Sequence, residues 1–332
     1  MRDWQTFLDG VPSTIYHTPQ WKQFLERVFG YAPVYLFALG DSDEVIGFLP
    51  LFRMRGALSG TRLCSVPFSH VCGPIGSPEA NDLLVQCASE LVMKDGVESL
   101  EIRGSIGSPL FKEVNSFSTF ILGLEKDPSV VWRRLDKGSV RWAINKAKKR
   151  GISVERTRDI EGVKAFYELN CLTKRDLGVP CHPWSFFKTL FEVFGEDVWL
   201  YLAKQKGDVI GGGVFLYHGG NILYGYGAAD PRHLDGYPYN AFLWGSIKDA
   251  CEAGFSSFDF GRTSYTDVGL FQFKKRWGVM EQKLYYSYFP GAAVNKALDR
   301  SSALLSVAKG CISRVPVPLY KNISERVFTL LG

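Results

Sequence analysis

The chain has 332 residues, 46% hydrophobic and 22% charged, with a formal net charge of +5. That length exceeds what one compact core usually supports, so two domains are expected. The composition excludes a spanning helix, which needs about 20 uninterrupted apolar residues. The opening Met1-Arg2-Asp3-Trp4-Gln5 lacks the apolar core of a secretory signal, so a cytoplasmic address is expected.

In chain order, Val34-Tyr35-Leu36-Phe37 through Glu44-Val45-Ile46-Gly47 reads as strand, tight turn, strand. Gly96-Val97-Glu98-Ser99-Leu100-Glu101-Ile102 reads as a later strand entered from a glycine. Glu125-Lys126-Asp127-Pro128-Ser129 breaks the pattern, with Asp127 or Ser129 placed to cap the next helix. Between Arg133 and Arg150 lie eight basic residues and one acid, Asp136. The rest of the chain carries a slight acidic excess, so the positive charge belongs to one basic helix. Trp132, Leu135, Val140, Ile144 and Ala147 give that helix an apolar stripe.

The first hairpin then recurs. Val198-Trp199-Leu200-Tyr201 through Asp208-Val209-Ile210-Gly211 aligns with Val34–Gly47 without a gap, and Gly254-Phe255-Ser256-Ser257-Phe258-Asp259-Phe260 echoes Gly96–Ile102. Two copies of one hairpin-helix-strand unit imply a duplicated domain. The expected organisation is 1–125, 126–289 and a helical tail, 290–332. In the tail, Val294, Leu298, Ser301, Leu305, Ala308 and Ile312 recur at helical spacing, and Val315-Pro316-Val317-Pro318 stops the helix. The tail packs on the domain or makes a peripheral membrane contact. Seven scattered cysteines without a Cys-x-x-Cys pair argue against a disulfide framework or zinc site and read as buried thiols; no metal is expected.

The densest chemistry lies between Gly236 and Gly278. Tyr237-Pro238-Tyr239-Asn240 reads as a turn, with Asn240 the N-cap of a helix over Ala241–Ala253. Phe258-Asp259-Phe260 reads as a short buried strand, and Asp259 pairs with Arg262 around the Gly261 turn or takes a proton from an attacking amine. Tyr224-Gly225-Tyr226-Gly227, with Tyr237 and Tyr239, reads as a cleft edge or as strand packing. Arg141, Lys146 and Lys149 suit phosphate groups, or form a solvated basic face. Lys274 is a candidate catalytic cation, able to stabilise the oxyanion of an acyl transfer where Phe273 and Trp277 exclude water. The alternative is a surface lysine after a core phenylalanine.

These motifs in their order resemble the Fem-type aminoacyltransferases and their acetyltransferase-like (GNAT) relatives. The resemblance is carried by Tyr237-Pro238-x-Asn240, Ala253-Gly254, Phe258-Asp259-Phe260-Gly261 and Phe273-Lys274-x-x-Trp277-Gly278. It extends to Arg141-x-x-Ile144-x-Lys146-Ala147-x-Lys149-x-Gly151 and, upstream, to Val45–Leu51 and Leu100–Arg103. It implies an α/β (α+β) fold of two tandem GNAT units with mixed, largely antiparallel sheets flanked by helices. It further implies aminoacyl-tRNA as donor, a nucleotide- or lipid-linked muropeptide as acceptor, and no cofactor. Lys146 and Lys149 fall on the family's basic helix, and Lys274 on the lysine implicated near the acyl donor. A monomer is expected.

Departures from the pattern keep other readings open. Residues 230–236 do not match the Arg/Gln-x-x-Gly-x-Gly/Ala loop that cradles coenzyme A, and no phosphate-binding glycine fingerprint is present. The helical hairpin inserted in some Fem-type enzymes has no counterpart between residues 130 and 230. An acyl-CoA or acyl-carrier donor acting on a sugar amine, and a non-catalytic scaffold for nucleotide-linked glycans or RNA, remain alternatives.

Overall fold

The structure, a computed structural model, describes residues 2–56, 60–94, 96–293, 312 and 315–331. The chain forms two compact units. One comprises Met1–Ser116 with Leu284–Ser306 and Val327–Gly332; the other comprises Phe117–Lys283 with Val307–Arg326.

The first unit opens with helices α1 (Arg2–Gly10) and α2 (Pro19–Phe29). Thr18 caps α2 by accepting from the Trp21 amide, Pro19 supplies its first turn, and Gly30 ends it at φ 66°. Strands β1 (Ala32–Leu39), β2 (Val45–Gly56), β3 (Gly60–Cys64) and β4 (Ile75–Gly76) follow, then α3 (Pro78–Lys94), β5 (Ser99–Ile102) and the start of β6 (Lys112–Gly123). β1, β2 and β3 pair antiparallel, and β3 pairs parallel with β5 across the α3 crossover. Leu84, Val85, Ala88 and Val92 on α3 face Leu49, Leu51, Leu63, Leu100 and Ile102 of the sheet. Each such burial contributes about 1.5–3 kcal/mol.

The second unit continues with α4 (Pro128–Arg134), a π-helical turn (Lys137–Arg141), α5 (Trp142–Lys149), β7 (Ile152–Thr157), α6 (Ile160–Asp176) and α7 (Trp184–Phe194). Then come β8 (Val198–Gln205), β9 (Asp208–His218), β10 (Asn221–Ala229), α8 (Pro238–Glu252), β11 (Ser257–Asp259), β12 (Thr263–Ser264), α9 (Val268–Lys275) and β13 (Met280–Phe289). β7, β8, β9 and β10 pair antiparallel, and β10 pairs parallel with β11 across α8. Phe215, Phe242, Ile247, Phe258 and Trp277 form the centre of its core.

The duplicated hairpins fold as predicted: β1/β2 and β8/β9 are antiparallel pairs, and each unit goes on to a third strand, a helix and a parallel strand. A feature absent from the sequence pattern places a further strand beside each parallel one. β5 is closed by β13, with Ser287 opposite Ile102. β11 is closed by β6, with Phe258 opposite Leu122. The chain therefore leaves the first unit within β6 and re-enters it within β13, rather than crossing near residue 125 and Tyr288. Unbroken strands carry both crossings, so no loop signal marks them.

Three local expectations need correction. The basic segment is two short helices joined by a π-helical turn, because Asp136 accepts from the amide of Ser139 at 2.8 Å and re-starts the chain there. Beyond the point where Pro316 and Pro318 are expected to stop the tail's helix, a further helix, α10 (Val317–Leu331), begins at them; proline suits a first turn, where its missing N–H is not needed. Of the cysteines, Cys87 is exposed while Cys64, Cys72, Cys171, Cys181 and Cys251 are buried. The helical spacing over 294–311 lies outside the described residues.

Candidate active site

In the second unit, β10 and β11 pair only briefly. β10 and β11 run parallel for three residue pairs, ending at Leu223 opposite Asp259, and then separate. At the apex Gly261 takes φ +70°, and a Cβ there would sit 3.0 Å from the Tyr224 carbonyl, so glycine lets the two backbones touch before they part.

The register between β10 and β9 shifts between Tyr224 and Tyr226, leaving Gly225 as an extra residue. Such a bulge re-aims side chains. Tyr224 stacks on Phe215, 5.4 Å between centroids, and faces Phe242 of α8. Tyr226 packs edge-on against Phe186 and Phe187 of α7 at 5.3 and 5.6 Å. The two tyrosines thus occupy opposite faces of the sheet instead of one cleft edge.

Beyond the bulge the alternation of strand hydrogen bonds identifies which backbone groups face the opening. The Asp230 amide donates to Ile210 of β9, while the amide and carbonyl of Ala229 both meet the Thr173 hydroxyl of α6, at 3.2 and 3.1 Å. Gly227, two residues earlier, therefore turns its N–H and C=O toward the same open edge. A Cβ at Gly227 would overlap the Tyr224 hydroxyl. Burial pushes the Tyr224 phenol well up, with Tyr239 nearby adding to the effect. Burial also raises Tyr239, and Thr173 draws it back.

The opposite wall is the turn after β11. Lys274, on α9, is 3% exposed. Its Nζ donates to the carbonyls of Phe260 at 2.6 Å, Gly261 at 2.8 Å and Arg262 at 3.4 Å. Burial lowers its pKa to about 8, while Asp259 and Asp267 pull it upward. It is a buried cation, not a surface lysine, and the third hydrogen bond is the weak one. Trp277 is fully buried, and Phe273 is half-buried with its ring 6.1 Å from Trp277.

Asp259 is half-buried, and its Oδ1 accepts from the Thr119 hydroxyl and, at 2.7 Å, from the Gly261 amide. Arg262 is exposed, with its guanidinium 4.5 Å over the Phe117 ring. The expectation of burial is corrected: neither residue is fully buried, and the carboxylate anchors the turn through Thr119 and Gly261. Thr119 and Thr173, absent from the sequence reading, are isolated threonines with no local pattern to announce them. The one visible cue was Gly227 following Tyr224-Gly225-Tyr226.

Helix α8 begins at Pro238, so Asn240 lies inside it and is buried rather than capping it. Tyr237 holds the N-cap position at φ 62°, and Pro238 pre-sets the first turn. Tyr237 meets Trp142 of α5 edge-on at 5.2 Å, placing the start of α5 against the start of α8. Arg134 and Arg150 are neutralised, by Glu125 at 2.9 Å and Asp235 at 2.6 Å. The side chains of Arg141, Lys146 and Lys149 make no hydrogen bond or ion pair among the described residues, and the Arg141 Nε is buried without a partner. Lys146 and Lys149 share a helix face at i,i+3 spacing, five and eight residues beyond Arg141.

Residues 136–275, which hold this opening, match the family model of the GNAT acetyltransferase domain. No curated protein matches the chain by sequence. Among solved structures the chain is similar to FemX, with a TM-score of 0.70, 18% identity, and coverage of 90% of this chain and 98% of that one. It is similar to the C-terminal domain of a putative lysylphosphatidylglycerol synthetase from Agrobacterium fabrum, with a TM-score of 0.61, 12% identity, and coverage of 92% and 97%. It also resembles a tandem GNAT protein from the clavulanic acid pathway, with a TM-score of 0.50, 12% identity, and coverage of 87% and 93%. At such identities these are likenesses of fold. Residues 136–275 thus carry a GNAT-type domain, and the chain has a fold like that of these structures, mixed α/β with a largely antiparallel sheet flanked by helices.

Proposed function

We propose that the protein transfers an amino acid from aminoacyl-tRNA to an amine on the peptide of a nucleotide- or lipid-linked cell-wall precursor. The observation that carries this reading is the end of the β10/β11 pairing at Leu223 and Asp259, beside a turn whose carbonyls are held by the buried Lys274 ammonium. The acceptor amine attacks the ester carbonyl, a C–N bond forms, and the carbonyl oxygen becomes an oxyanion. The Lys274 ammonium, whose bond to Arg262 is long enough to yield, stabilises that charge. Collapse breaks the C–O bond to the ribose, and the amine's proton leaves with the ribose hydroxyl. Asp259 positions the turn, Phe273 and Trp277 exclude water, and Tyr224, Tyr226, Tyr237 and Tyr239 shape the walls. Arg141, Lys146 and Lys149, whose side chains make no ion pair among the described residues, meet the phosphates of donor or acceptor. A second reading, a lipid headgroup as acceptor, draws support from the likeness to the lysylphosphatidylglycerol synthetase domain.

The test is incubation with total charged tRNA and a nucleotide-linked muropeptide, watching for a mass gain of one residue. RNase-sensitive gain supports the proposal. RNase-insensitive gain with acyl-CoA points to a thioester donor, and gain only on phosphatidylglycerol vesicles to the lipid acceptor. No gain with any acceptor refutes acyl transfer of this kind.

A further inference from the structure

The first unit contains a cavity of about 620 Å³ that the chemistry above does not use, lying between the segment before α2, the β4–α3 junction and the chain after β5. Its volume falls in the range of small-molecule sites. Its lining includes Ile75, Val85 and Ile106 as apolar walls, no lysine or arginine, and one carboxylate, Asp82.

The polar groups in the lining have largely spent their donors inward. The Thr14 amide donates to His17 Nδ1 at 3.1 Å, which makes that nitrogen the acceptor, so Nε2 carries the proton and donates to the Gly73 carbonyl at 3.0 Å. The Thr14 hydroxyl, 2.9 Å from the same Nδ1, must then donate to it, keeping only lone pairs to offer. Ser105 Oγ donates its single proton to the Glu113 carboxylate at 2.8 Å. The amides of Gly107 and Ile106 hold that carboxylate below its usual range. Asn81 donates from Nδ2 to the Gly76 carbonyl at 3.4 Å, while its Oδ1 is buried without any partner. An orphaned buried acceptor costs about 1–3 kcal/mol and calls for a donor.

The start of α3 does not turn the cavity into an anion site. Pro78 has no amide proton, Glu79 engages its own amide, and the Ala80 and Asn81 amides bond Ser77. Acceptors at Thr14, Ser105 and Asn81, with the Asp82 carboxylate, therefore surround a space without positive charge.

We propose that this cavity is a binding site for a ligand carrying a primary ammonium group, which donates to Asn81 Oδ1 and is balanced by Asp82. A phosphate or carboxylate ligand is disfavoured there. The inference is separate from acyl transfer and is tested by binding alone.

The experiment titrates the full chain calorimetrically, near neutral pH, with glucosamine and alaninamide as ammonium probes. N-acetylglucosamine and inorganic phosphate are the comparisons. At least one ammonium probe is expected to bind about tenfold or more tighter than N-acetylglucosamine. Asp82→Asn, an exposed and near-isosteric change, is expected to weaken it by a similar factor with unaltered melting. Asn81→Leu, checked for folding by its melt, should abolish it. Failure of both ammonium probes to bind at tens of millimolar overturns the proposal. So does equal binding of the acetylated sugar, binding of phosphate in their place, or insensitivity to Asp82→Asn.

Discussion

Replacing Lys274 with Met keeps an unbranched side chain and removes the ammonium. Losing one oxyanion-stabilising donor should lower turnover about 100-fold, roughly 2.7 kcal/mol. The effect on stability should be much smaller, because two terms oppose. Lys274 has a folded pKa of about 8 against 10.5 in the open chain, so carrying its charge in the fold costs on the order of 3 kcal/mol at neutral pH. Removing it relieves that cost but takes a donor from the carbonyls of Phe260, Gly261 and Arg262, at about 1 kcal/mol each. The variant should melt close to the parent and yet be nearly inactive. The pH dependence separates this from damage to the fold. Between about 8 and 10.5 the unfolded chain binds the Lys274 proton and the folded chain does not, so parent stability rises with pH across that window. The variant should lack this contribution. Parent turnover should fall as pH rises through about 8, where the cation is lost. Mass-spectrometric initial rates and thermal melts over pH 6–11 measure both. A normally melting variant with turnover within about threefold of the parent refutes the catalytic assignment. A parent rate that stays level through pH 8 does so equally.

The other expectations concern the turn, the open edge and the basic helices. Asp259→Ala deprives Thr119 and the Gly261 amide of their acceptor and should cost about 1–3 kcal/mol in chemical denaturation; a normally stable but inactive variant would make Asp259 a proton acceptor instead. Gly227→Ala puts a methyl on the Tyr224 hydroxyl and should destabilise by about 1–3 kcal/mol. Adding Tyr224→Phe removes the atom of closest approach but leaves the ring carbon Cζ 2.7 Å from the methyl, so it should restore part of the melting temperature, and no recovery rules out that contact. Changing Lys146 and Lys149 together to Gln should raise the KM for the charged substrate and flatten its salt dependence, with little change in kcat. Unaltered KM at low and high salt returns those lysines to an ordinary solvated face.

The hairpins were legible because each repeats an alternating apolar run around a polar turn, a local pattern that needs no tertiary information. The short strand at Phe258 and the turn at Gly261 were legible for the same reason. The environment of Lys274 was not. Its partners are main-chain carbonyls more than ten residues away, and a sequence does not announce which carbonyls will be left over. The anchor of Asp259 was hidden in the same way: Thr119, far upstream, arrives on β6, the strand that pairs with β11. Asn240 misled because Asn is both a good cap and a tolerable buried residue, and Pro238 two places earlier was the stronger start signal.

The exchange of closing strands bears on how the chain acquires its fold during synthesis. β5 has no closing partner until Ser287 has been made, so the N-terminal unit waits, with an open sheet edge, for nearly the whole chain to leave the ribosome. An expressed fragment ending near residue 125 would keep that edge bare and carry the unpaired end of β6, two invitations to aggregate. A fragment starting at 126 would lack the strand that covers Phe258 and Asp259. Tandem duplication ordinarily leaves halves that can be separated and recombined; in this chain a cut near residue 125 takes a pairing strand from β5 and another from β11.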